Sequence, residues 1–167
     1  MPGWNERSAA PADRTVRLRA ELVAARDELM TLLAQAGRGS LTTPGLVGEW
    51  SGRELVAHVG YWAGHAIEVI QAVERGTTDL LGEGQPSVDE INATVARVAR
   101  QSDLIAVQKR EAAAFMALVD RLTALDPDLL DHLLPDGATL EEGVREDGAA
   151  HYREHAVELQ LAVGHGS

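Results

Sequence analysis

Two histidines four residues apart, His151 and His155, are the most chemically suggestive feature of this chain. On a helix that spacing sets both imidazoles on one face, with Cβ atoms ~6 Å apart. Two rings so placed can grip one metal ion through nitrogens at ~2.0–2.1 Å. A third ligand must come from another element. The chain has no cysteine, so that ligand must be His, Asp or Glu. His58 is the candidate. The residue after His151 is Tyr152, where the His-Glu-x-x-His metalloproteases place a general-base Glu, so that chemistry is excluded. Three protein ligands on a tetrahedral ion leave one position open for water or for an anionic substrate atom such as a thiolate, whose pKa the ion would lower. The competing reading is three separately satisfied core histidines. It demands three independent hydrogen-bond solutions in an apolar interior.

Carboxylates stand at helical spacings from all three. Glu54 precedes His58 by four residues, Asp147 precedes His151 by four, and Glu158 follows His155 by three. Each is a candidate to hold the far nitrogen of a ligand imidazole. Capping or solvated surface charge is the competing role for Asp147 and Glu158, and the preferred one for Glu54. Trp62, one turn beyond His58, is a candidate pocket wall or plain core. Asn92 is a candidate to reach the site from a crossover helix. His65 shares a face with His58 but lies ~10 Å further along the axis, too far for one small site, and reads as a core or surface histidine. His132, in a connector, and His165, in the tail, receive no role.

The elements that must position these residues are helical. Three pairs, Ser51 with Glu54, Ser87 with Glu90 and Thr139 with Glu142, have the capping-box spacing that satisfies two orphan N–H groups at a helix start. The first helix is expected over 11–36, with Leu18, Leu22, Ala25, Leu29 and Leu32 as its buried stripe. The second runs over 51–75, with His58 on or beside the core face. A single helix from Ser87 to Leu125 would be ~58 Å long, so a break at Ser102-Asp103 is expected, leaving a short helix over 88–100 and a main one over 103–125. A connector with a helical turn follows, then a last helix over 139–163, ended by Gly164. Four amphipathic helices of similar length predict a four-helix bundle. His58 lies seven residues after Ser51, and His155 seven before Ala162. The three histidines therefore match in depth only if the second and last helices are antiparallel, which an up-down-down-up order with a short extra helix in the crossover provides.

The chain has 167 residues, enough for one domain, with residues 1–10 expected to be flexible. Its formal net charge of −11 and the absence of a basic patch argue against nucleic acid. No apolar run approaches the ~18 residues of a membrane span, and the N-terminus carries no signal-peptide core, so a cytoplasmic protein is expected.

The stretch from Pro44 to Val59, with Gly48-Glu49-Trp50-Ser51 followed by His58, resembles the start of the second helix in DinB-like proteins. Ala150-His151-Tyr152-Arg153-Glu154-His155 resembles the His-x-x-x-His pair on their last helix. The similarity is closest to the branch that includes mycothiol-dependent maleylpyruvate isomerase N-terminal domains. It implies an up-down-down-up bundle, often a homodimer, with zinc or nickel held by His58, His151 and His155. It also implies a metal-dependent transferase using a low-molecular-weight thiol, of the mycothiol or bacillithiol type, on a small-molecule substrate. Two alternatives are a non-catalytic bundle that binds and sequesters a small molecule, and a purely structural homodimer, which would have no accessible cavity near His58.

Overall fold

The computed structural model describes residues 10–164, and within them the protein is all-helical. Residues 1–9, most of the stretch expected to be flexible, and His165 lie outside the described residues. Helix α1 spans Pro11–Ala36, α2 Gly52–Arg75, α3 Val88–Arg100 and α4 Leu104–Ala124. The last helical stretch comprises α5, Leu140–Arg145, a π turn, Glu146–Ala150, and α6, His151–Gly164. Among the described residues no helix is long and apolar enough to cross a membrane.

Local chemistry accounts for most of these boundaries. The Glu90 carboxylate accepts the Ser87 backbone N–H at 2.9 Å, and the Glu142 carboxylate accepts that of Thr139 at 2.7 Å. Asp103 starts α4 by accepting the Ala106 N–H at 3.1 Å, which is where the 87–125 pattern breaks. Gly76 closes α2 at φ 69°, a left-handed cap that other residues adopt at a cost. The stripe of α1 follows expectation through Leu29, but Leu33 takes the next buried place at 4% exposure, while Leu32 is only half-buried.

The last helix departs from the expected unbroken α-helix. Its π turn places one extra residue between α5 and α6. A turn closed by i→i+5 bonds requires no particular residue, so apolar periodicity does not announce it. The helix also continues through Gly164.

Cross-helix contacts fix relative directions. Arg26 pairs with Glu111, and Arg19 donates to Thr123, so α1 and α4 run in opposite senses. Arg121 pairs with Glu74 while Gly60 abuts Glu111, so α2 and α4 run the same way. His58 meets His151 while His65 meets Asp147, so α2 opposes the last helical stretch. These directions are compatible with the expected bundle. A polar network is buried within its apolar core: Glu111, 2% exposed, takes two bonds from the Arg26 guanidinium at 2.7 and 2.8 Å and one from the Tyr152 hydroxyl at 2.6 Å. A buried carboxylate is tolerable only when paired and hydrogen-bonded in this way. The network ties α1, α4 and α6 together one residue from His151.

Candidate metal centre

Three rings from two helices converge at one point. His58 comes from the second turn of α2, and His151 and His155 come from the first two turns of α6. The His58 and His151 Nε2 atoms lie 2.6 Å apart, and those of His151 and His155 3.3 Å apart. One ligand atom from each of the three falls within 4.8 Å of the others. A tetrahedral ion with ~2.0–2.1 Å bonds has ligand–ligand edges of about 3.3–3.4 Å. The His151–His155 separation already matches that edge, and the His58–His151 pair must open by roughly 0.7 Å.

The chemistry of the donor set fits a cation. Burial, reinforced by the neighbouring imidazoles His151 and His155, pushes His58 down to about 3. Burial and His155 push His151 down to about 4. At neutral pH both are uncharged, and uncharged imidazole is the form that binds metal. The Glu158 carboxylate lies 2.8 Å from His155 Nδ1. It accepts that N–H and leaves the Nε2 lone pair facing the other rings, the arrangement that supports a ligating histidine. His58 Nδ1 is buried with no hydrogen-bond partner among the described residues.

The other sequence candidates fall differently. Glu54, expected as a cap or a partner of His58, is a cap but is not solvated. It is 1% exposed, accepts the Ser51 N–H at 2.8 Å, and pairs with Arg100. Asp147 does not serve His151. It lies 2.6 Å from His65 Nδ1, and this bond raises the His65 pKa against the opposing effect of burial. Trp62 is both wall and core: it is 8% exposed, stacks on His151 with centroids 6.1 Å apart, and donates Nε1–H to Asn92 at 3.0 Å. Asn92 thereby reaches the site from α3. His132 stays in the connector, exposed and not lining the cavity.

A cavity of about 610 Å³ opens beside the three rings, lined also by Trp50, Trp62, His65 and Asn92. Two of its walls were not singled out as site residues from the sequence. Trp50 lies with its centroid 4.8 Å from that of His58. A tight turn holds it there: Trp50 N–H bonds to Val47 C=O at 2.9 Å, and Gly48 supplies the positive φ of 56°. Its signal was its place in the Gly-x-Trp-Ser segment just before the α2 cap. His65 was set aside by axial distance, which rules out a shared ion but not a shared cavity.

A profile of the mycothiol maleylpyruvate isomerase N-terminal domain family matches residues 22–160, which include every residue of the centre. No curated protein and no solved structure shows a significant match to the chain.

Proposed function

This chain belongs to the mycothiol maleylpyruvate isomerase N-terminal domain family, a DinB-like family, and from that membership we propose that it is a divalent-metal-dependent enzyme transferring a low-molecular-weight thiol, of the mycothiol or bacillithiol type, to a small electrophile. The observation that carries the reading is the convergence of the His58, His151 and His155 donor atoms on one point. We read the helix directions as an up-down-down-up four-helix bundle with α3 as the extra crossover helix, the architecture that brings α2 and α6 together antiparallel.

In this reading His58, His151 and His155 hold one zinc or nickel ion, both metals that imidazole suits. The ion would supply an open position that lowers the pKa of a thiol or water and presents it as a nucleophile at neutral pH. Glu158 fixes the tautomer and rotation of His155. Trp50 and Trp62 keep water from one side of the donors. Asp147 holds the His65 Nδ1 proton, which leaves Nε2 as the basic nitrogen of a fourth imidazole on the cavity wall. The chain contains no cysteine, so the sulfur must come from a cosubstrate. The cavity beside His58 disfavours the purely structural reading, which expects none.

Protein loaded with cobalt(II) tests the thiol part directly. Adding a low-molecular-weight thiol is expected to produce a sulfur charge-transfer absorption that His58→Ala abolishes. An unchanged spectrum in metal-loaded protein would contradict it.

A further inference from the structure

The charge of the cavity is one-sided. Four carboxylates line it, Asp136, Glu146, Asp147 and Glu154, and among the described residues no Lys or Arg does. The chain has 15 Lys and Arg residues, so this absence is a property of the site rather than of composition. Arg145, next to Glu146 in sequence, is engaged elsewhere, with Glu21 and Glu141 at 2.9 Å each. The side-chain carboxylates of Glu146 and Glu154 have no hydrogen-bond or ion-pair partner among the described residues. Even with a divalent ion on the three histidines and a proton shared by His65 and Asp147, four carboxylates outweigh the positive charge. Two indoles, Trp50 and Trp62, stand in the same wall as His58, which is 4% exposed and has an unpartnered Nδ1. Aromatic faces attract cations, and carboxylates accept the N–H bonds of an ammonium group. A carboxylate ligand would instead meet like charges with no guanidinium or ammonium to receive it.

We propose that this cavity selects a positively charged ligand, an organic ammonium, and rejects carboxylates of the same size. The acidic rim of Glu146 and Glu154 sets the sign, and the indoles of Trp50 and Trp62 supply the contact surface. This names the charge class of the substrate. It rests on reading the cavity as the substrate site and does not depend on the ion being catalytic.

Three probes of one shape and different charge test it: benzylammonium, benzyl alcohol and benzoate, titrated by NMR chemical-shift perturbation into metal-free and zinc-loaded full-length protein. Benzylammonium is expected to bind at least ~10-fold more tightly than benzoate in both forms, with benzyl alcohol between them. The preference should shrink at high salt, since the rim is exposed. The Glu146→Gln/Glu154→Gln variant replaces exposed groups and should keep the fold while losing most of the preference. Equal binding of the three probes, tighter binding of benzoate, no binding of any probe, or a preference that survives the double variant would overturn the proposal. Zinc content, measured on the same samples, separates the two readings: protein that takes no zinc but prefers the cation loses the proposed function and keeps this inference, whereas zinc-loaded protein without the preference does the reverse.

Discussion

At the scale of single residues, the account turns on which nitrogen of each imidazole is free. Glu158 fixes this for His155 by accepting from Nδ1 at 2.8 Å. Glu158→Gln keeps the shape but weakens the acceptor. It should lower zinc affinity by about 10–100-fold with no change in the circular dichroism spectrum, as read by competition with a chromophoric chelator. The depressed rings give a second prediction, for the metal-free protein. His58 at about 3 and His151 at about 4 stay unprotonated while their unfolded counterparts, near ~6.5, take up protons. Between pH 7 and pH 5 the unfolded state therefore binds more protons at these two sites, and stability falls with pH. His65, raised by Asp147, works in the opposite sense, contributing stability below its unfolded value. Two depressed rings outweigh one raised ring. The net loss should be on the order of 2 kcal/mol in urea unfolding, and His58→Gln should flatten it. The carboxylates Glu54 and Glu141, both lowered, lose their contribution only as pH falls below the ordinary carboxylate range, outside this window.

Spacing along one helix made the histidine pair legible in the sequence, because i, i+4 geometry is local. It misdirected Asp147 for the same reason. The four-residue step to His151 is real, but the partner it finds, His65, lies across the helix interface, where sequence separation carries no information. The core position of Glu54 was hidden likewise, since its counter-ion Arg100 comes from α3.

At the scale of elements, α2 packs closely against α4 two residues beyond His58. A Cβ built on Gly60 would lie 3.0 Å from Glu111 Cα, a contact with backbone that cannot easily give. Gly60→Ala should therefore push α4 outward and disturb the Arg26–Glu111–Tyr152 network, costing about 1–3 kcal/mol in urea unfolding despite the higher helix propensity of Ala. A neutral or stabilising result would show that the helices do not meet so closely. The caps, the α3–α4 break and the ends of α1 and α3 were legible because Ser, Thr, Asp and Gly act within one turn. The π turn was not, since Gly148 and its neighbours have no composition that distinguishes i→i+5 from i→i+4 bonding.

At the scale of the molecule, matched depth links the helices to the chemistry. His58 and His155 were placed level by counting residues from opposite helix ends, and the rings do meet. Counting along axes is reliable because the rise per residue is nearly constant. What it could not reach were the parts of the cavity wall contributed by loops, Trp50 of the α1–α2 loop, Leu81 and Gly82 of the crossover and Leu134, Pro135 and Asp136 of the connector after α4, whose paths depend on packing.

The most direct test of the central claim is the zinc and nickel content of full-length protein prepared without a histidine tag and equilibrated with each ion. The account predicts about one equivalent per chain, lost in His58→Ala while the helical spectrum is retained. Folded wild-type protein that takes up neither ion at micromolar concentrations would contradict it.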